Sequence, residues 1–337
     1  MTWRTGFSNA LGKAQDRGAV CRRVRRAILL GVAAVTVSPI LGACTLDDYS
    51  RENVTIRTQV VPDAERWKRA TTHWGLNEIV PSVPTFDGKG LLMASWTPST
   101  DRDAPTFVIA HGGGGIGGML LTMAAELRAT LNANVLILDS IWSRGRTNNG
   151  GASVAQSGRT LSSNVRMFDL ASAGRWLATQ GVNPQKTYAI GESQGGWGVL
   201  RAFTSDPAIT ELIKPHYAGA IALYPQCGVL EPDVFVYHPL GPYHSRVLLI
   251  TGGLDTLTPI THCSQVTLNS VEKWLHWNDV THAFNIATHG LFRASVDGKC
   301  QEMANKGGIH QFCFHARRTR EMMLEIEKFV QAESKRE

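Results

Sequence analysis

Three side chains in this 337-residue sequence are of the types, and in the order, that could cleave an acyl bond together. The stretch "YAIGESQGGWG" (188–198) places Ser193 between Gly191 and Gly195 at the end of an apolar run. A serine hydroxyl is a weak nucleophile unless a base lies within hydrogen-bond reach and an acid orients that base. "LLITGGLDTLTP" supplies Asp255 after a later apolar run, and "WLHWNDVTHAFN" supplies His282 after the next. Gly-x-Ser-x-Gly alone arises by chance. Its weight here comes from the chain order Ser, Asp, His and from the strand–turn–helix context, in which a sharp turn exposes the hydroxyl and the glycines let strand and helix cross closely.

Acyl transfer also needs donors for the charge that develops on the substrate oxygen. One expected donor is the backbone N–H of Gln194, directly after the serine. The other is expected in "HGGGG" (111–115), from Gly113 or Gly114. Other histidines compete for the base role. His262, His276 and His289 lie nearest, and His276 sits inside a strand pattern, where it should face core or solvent. Asp139 also ends a strand, but it precedes the serine and reads as structural. Trp142, Trp197 and Phe284 are candidates to line an acyl pocket, against the plainer expectation that they pack in the core.

The elements that must position these groups are legible as alternation. Short apolar runs bounded by Gly, Pro or Asp predict strands at 90–96, 106–110, 134–139, 187–191, 218–224, 246–251 and 273–277. Apolar residues at helical spacing predict helices over 119–131, 165–180 and 317–331, with Gly181 and Pro184 stopping the second. Such alternation implies an α/β fold with a mostly parallel central sheet and helices on both faces. In these sheets ligands gather at the carboxyl ends of the strands, where Ser193, Asp255 and His282 all fall. Residues 225–245 and 284–312 read as irregular insertions near the sheet edge, and residues 76–337 as one domain.

The chain resembles the α/β-hydrolases, and within them it is similar to dienelactone hydrolase-like proteins. The similarity covers roughly residues 90–330 and rests on "HGGGG", "GESQGG", "GGLDTLTP" and "THAF". It implies ester hydrolysis through an acyl-enzyme, a small-molecule ester substrate and no cofactor. Dienelactone hydrolases proper use a cysteine nucleophile. This elbow holds Ser193, so lactone specificity does not carry over. Peptidase or acyltransferase activity on the same fold stays open.

The formal charge of +6 is concentrated at one end of the chain. Seven of the 34 Lys/Arg and one of the 28 acids lie in residues 1–43, which leaves 27 of each in the remainder. The body therefore has no nucleic-acid footprint. "RRVRR" (22–26) followed by an uncharged run to "LGAC" (41–44) reads as a secretory signal over residues 1–43. It is similar to a bacterial lipobox, which implies a lipidated Cys44, a tether over 44–75, and membrane attachment facing the periplasm or cell exterior. A transmembrane anchor is the alternative, but a span needs about 20 apolar residues and this run contains Pro39. Arg25-Arg26 fits a twin-arginine signal only loosely.

Beyond Cys21 and Cys44, an even set remains: Cys227, Cys263, Cys300 and Cys313. In an oxidising compartment this predicts two disulfides with three possible connectivities. We favour Cys227–Cys263, because both lie beyond adjacent predicted strands, and Cys300–Cys313. A zinc site from Cys300, His310, Cys313 and His315 is the rival, with a spacing that matches no standard zinc pattern. Two rivals come from other functional classes: a non-catalytic binding lipoprotein on the same fold, and a dinucleotide-dependent oxidoreductase. Gly113, Gly115 and Gly118 satisfy Gly-x-Gly-x-x-Gly between a strand and a helix, and Asp139 ends the next strand. That reading leaves Ser193, Asp255 and His282 unexplained.

Overall fold

The computed structural model describes residues 79–144, 161–231, 234–237, 240–285, 300–305 and 308–332. The expected signal over 1–43, Cys44 and the tether lie outside them, as does His289. Among the described residues no helix is long and apolar enough to cross a membrane.

Eight strands form one sheet: β1 (Ile79–Pro84), β2 (Leu91–Thr97), β3 (Thr106–Ala110), β4 (Asn134–Leu138), β5 (Thr187–Glu192), β6 (Gly219–Leu223), β9 (Arg246–Gly252) and β10 (Lys273–Trp277). Between β6 and β9 the chain adds a small ribbon of β7 (Gly228–Glu231) and β8 (Val234–Tyr237). The order across the sheet is β1-β2-β4-β3-β5-β6-β9-β10. From β4 to β10 every pairing is parallel, while β2 runs antiparallel to both β1 and β4. The seven predicted strands are all present, and the fold is the α/β-hydrolase fold expected from the sequence.

Strands β3 to β6 are buried along their whole length, as a parallel sheet covered on both faces requires. One face carries α1 (Gly118–Leu131) and the terminal α6 (Ala316–Gln331), with Leu127, Met322, Ile326 and Phe329 packed on β3, β5 and β9. The other carries α2 (Ser163–Thr179) and α3 (Gln194–Ala202), with Val165, Phe168, Leu170, Trp197 and Leu200 in the core. Two shorter helices, α4 (Pro207–Ile213) and α5 (Gln265–Ser270), complete the connections.

Three elements differ from the sequence expectation. Strand β1, "IVPSVP", was not anticipated. Pro81 and Pro84 lack N–H groups, which weakens any strand pattern, but this strand is an edge that pairs only with β2, where proline is tolerated. The segments read as irregular insertions contain order. Residues 228–231 and 234–237 form the β7–β8 ribbon, and β11 (Cys300–Asn305) pairs antiparallel with β12 (Gly308–Cys313). Two-stranded ribbons are short and need no long apolar run, so their sequences resemble loops.

Candidate active site

Ser193 occupies the turn between β5 and α3 with φ 52° and ψ −115°, outside the regions a serine prefers. Such backbone costs about 1–3 kcal/mol and persists only where its surroundings enforce it. Here the enforcement is close packing. A Cβ on Gly195 would come within 2.0 Å of the Ala110 carbonyl oxygen, and one on Gly191 within 2.5 Å of Gly195. The Ser193 N–H donates to Leu223 O at 3.0 Å, and Ser193 O accepts from Gln226 N at 3.0 Å. Ser193 itself stays partly exposed. Two further non-glycine residues with positive φ stand at the same end of the sheet: Tyr224 after β6 (36°) and Ala283 beside His282 (55°).

The loops that carry Asp255 and His282, after β9 and β10, touch directly. His282 Nδ1 lies 2.8 Å from Asp255 Oδ2, and both side chains are buried. The paired glycines before Asp255 make this possible, since a Cβ on Gly252 would sit 2.5 Å from Val280 O and one on Gly253 2.8 Å from Asn278 Cα. Asp255 Oδ1 accepts from the backbone N–H groups of Leu257 (2.9 Å) and Thr258 (2.8 Å). Burial pushes the Asp255 carboxyl up. The charge and hydrogen bond of His282, with the Thr258 hydrogen bonds, outweigh burial and hold it below its ordinary value. An ionised Asp255 fixes the proton on Nδ1 and leaves the Nε2 lone pair of His282 as a base.

Thr258 and Glu192 belong to this site and were missed in the sequence. Thr258 Oγ1 lies 2.9 Å from Tyr224 O, 2.9 Å from Asp255 Oδ2 and 3.0 Å from His282 Nδ1. Glu192, directly before the nucleophile candidate, is fully buried and accepts from Asn285 Nδ2 at 3.0 Å. Asn285 Oδ1 in turn accepts from the Tyr224 hydroxyl at 2.8 Å. The Tyr224 ring packs edge-on against His282 at 4.8 Å. The serine turn and the base loop are thus joined through Glu192, Asn285 and Tyr224. A signal existed for Glu192, a charged residue closing an otherwise buried strand. Thr258 carried none.

On the other side of Ser193, the "HGGGG" turn is built around a buried, neutral His111. Its Nδ1–H donates to Gly112 O at 2.7 Å, and its Nε2 accepts from Ser140 N at 3.0 Å. Burial, then the charges of Arg166 and Arg144, lower its pKa to about 3. Asp139, 3.8 Å away, is therefore no ion-pair partner for it. Of the two glycines expected to donate to substrate, Gly113 lies against the Gln194 side chain, so that a Cβ there would meet its amide at 3.0 Å. Gly114 faces open space. Gly112, not anticipated, is the glycine against Ser193 itself, with 3.4 Å from its would-be Cβ to the serine Cβ.

The remaining candidates fall elsewhere. Cys227 is bonded to Cys263 and Cys300 to Cys313. A disulfide consumes the thiolates zinc would need, and among the described residues no cluster of His, Cys, Asp and Glu could hold a metal. His310 instead bonds Thr256 through Nδ1 at 3.0 Å. Asp139 is fully buried, its carboxylate taken by the Ile141 and Ser143 N–H groups and the Ser143 hydroxyl. It cannot reach a ribose, which removes the dinucleotide reading of Gly113, Gly115 and Gly118. His276 is exposed on β10 and bonded to Thr251 at 3.0 Å. Trp197 is core, not pocket wall, and Phe284 packs between Tyr224 and Trp277. The Trp142 side chain lies outside the described residues.

No protein-family model matches the chain, and no curated protein matches its sequence. Solved structures do match its fold. A Klebsiella pneumoniae subsp. pneumoniae MGH 78578 protein described as a dienelactone hydrolase superposes with a TM-score of 0.55 at 14% identity, covering 76% of this chain and 99% of its own. A dienelactone hydrolase-like promiscuous phosphotriesterase from metagenomic libraries gives 0.48 at 15% identity, covering 74% and 95%. A hyperthermophilic esterase from the archaeon Pyrobaculum calidifontis gives 0.42 at 15%, covering 74% and 91%. Identities this low speak to the fold alone.

Proposed function

We propose that this chain is an exported serine hydrolase that cleaves carboxylic esters through an acyl-enzyme. The observation that carries the reading is the buried Asp255–His282 hydrogen bond of 2.8 Å, on the same sheet end as a serine held in a strained, partly exposed turn. In this reading His282 Nε2 takes the Ser193 proton as Oγ attacks the ester carbonyl. The N–H groups of Gln194 and of Gly113 or Gly114 receive the oxyanion. The proton passes to the leaving alcohol, and water then hydrolyses the acyl-serine by the same steps. Asp255 stays ionised and stabilises the imidazolium.

Export belongs to the same proposal, with Cys44 as a lipidated mature N-terminus. Two disulfides are consistent with an oxidising compartment.

Labelling by a fluorophosphonate tests the activity, because only an activated serine reacts. Stoichiometric labelling at Ser193, with turnover of short p-nitrophenyl esters and none of the matched amides, supports the esterase. Turnover of amides or transfer to an added alcohol redirects it to a peptidase or acyltransferase. Absence of labelling removes it. Mass spectrometry of membrane-extracted protein tests the anchor: cleavage before Cys44 with an acyl chain supports it, and an intact leader or another cut site overturns it.

A further inference from the structure

Helix α2 sends two buried charged side chains toward the site from positions one turn apart, Arg166 and Asp169. Asp169 forms a bidentate pair with Arg144, with distances of 2.8 and 2.6 Å, and Arg144 also donates to Ser140 O at 2.7 Å. This anchors α2 to the loop after β4. Arg166 points at the serine turn. Its Nη1 donates to His111 O at 2.7 Å, and its Nη2 reaches Gln194 Oε1 at 3.5 Å. The stem packs on α3, where a Cβ on Gly198 would lie 2.4 Å from the Arg166 Cβ.

We propose that Arg166 is a positioning residue of the oxyanion hole, its guanidinium bridging the "HGGGG" turn and Gln194 so that the two backbone donors keep one fixed separation. The inference rests on the serine-hydrolase reading above. The two donors belong to segments far apart in sequence, and neither is fixed by sheet hydrogen bonds. Arg166 holds the first through His111 O and the second through the Gln194 amide, which itself lies flat on Gly113. A planar fork can serve two acceptors at once, and an ammonium on a flexible stem cannot reproduce that geometry. The same charge helps keep His111 neutral, so that its Nε2 goes on accepting from Ser140 N.

Arg166→Met, Arg166→Lys and Gln194→Ala test this, with p-nitrophenyl acetate as substrate and an alkyl boronic acid as a tetrahedral-adduct probe. Displacement of an oxyanion donor by about 1 Å costs up to about 100-fold. Arg166→Met is expected to lower kcat ~10- to 100-fold, leave KM within about threefold, and weaken the boronic acid by the same factor as kcat. Arg166→Lys should recover part of the loss. A merely structural role would lower thermal stability and the fraction of titratable sites, yet leave kcat per labelled site and boronate affinity unchanged, and that result overturns the proposal. If Arg166→Met does not fold, Arg166→Lys and Gln194→Ala decide. Each should lose kcat at constant KM, and wild-type values in both overturn it. The parent reading fails separately, through a Ser193→Ala enzyme that keeps its activity. An inactive Ser193→Ala beside fully active Arg166 and Gln194 variants sinks only the present inference.

Discussion

Asp255 Oδ2 and His282 Nδ1 stand 2.8 Å apart in a buried pocket, and Thr258 Oγ1 lies within 3.0 Å of both. The hydroxyl has one proton and three oxygen or nitrogen neighbours, the third being Tyr224 O at 2.9 Å. It therefore ties Asp255, His282 and the strand end beside the serine turn into one unit.

Replacing Thr258 by valine keeps the shape and the backbone N–H that Asp255 Oδ1 accepts, and deletes only the hydroxyl. Loss of one such buried hydrogen bond costs about 1–2 kcal/mol. If that cost falls on the transition state, kcat drops ~5- to 30-fold. Steady-state kinetics check this, and an unchanged kcat would mean that Thr258 only packs.

Glu192 supplies a pH dependence. Burial pushes its carboxyl above the ordinary value of 4.5, against hydrogen bonds from Asn285 and Tyr224 and the charge of His282. A folded pKa raised above the unfolded one means that the folded state binds more protons between the two values. The contribution of Glu192 to stability is then fully present below 4.5 and is lost as pH rises through the folded value. Glu192→Gln, a permanently neutral isostere, should remove this component. Urea denaturation between about pH 4 and about pH 8 should show the wild type losing stability relative to the variant as pH rises. Parallel curves would contradict it.

The two disulfides should separate stability from rate. Their sequence separations of 36 and 13 residues correspond to about 4 and about 3 kcal/mol of chain entropy. Cys227→Ser with Cys263→Ser is expected to lose more stability. The Cys300–Cys313 ribbon lies against His282, with Phe312 edge-on to its ring at 5.6 Å and Cys313 N donating to Thr281 Oγ1 at 2.8 Å. Cys300→Ser with Cys313→Ser is expected to lose more activity, roughly tenfold in kcat. Thermal melts beside kinetics on both double variants decide it, and the reverse ranking would overturn it.

Gly195→Ala should break the turn itself. The new methyl would fall 2.0 Å from Ala110 O, a contact with backbone that cannot yield. Overpacking of this kind is expected to cost about 3 kcal/mol or more. Denaturant midpoints measure it, and a loss under about 1 kcal/mol would show that α3 can shift.

Much of this arrangement was legible because the sheet is buried on both faces. Such strands must be short apolar runs, and "TFVIA", "NVLIL" and "AIAL" are nothing else. The carboxyl ends of β5, β9 and β10 then announce Ser193, Asp255 and His282. The supporting groups were not legible, for a physical reason. Arg166 and Asp169 are charged residues inside a helix that is buried on nearly all sides, where sequence pattern expects apolar ones. Their partners, the acceptor His111 O for Arg166 and the donor Arg144 for Asp169, come from other segments. Thr258 acts through a single hydroxyl in a loop without periodicity. Strand β1 hid behind two prolines that only an edge position tolerates. Strand β12 hid because its residues are exposed as often as covered.

The most direct test is the rate of p-nitrophenyl ester hydrolysis by Ser193→Ala, with its fold verified by circular dichroism and its melting temperature. A nucleophile that works as a unit with its base contributes ~10⁴-fold or more to kcat. The account predicts a loss of at least that size, together with complete loss of fluorophosphonate labelling. A folded Ser193→Ala protein that retains activity within about tenfold of wild type would contradict it.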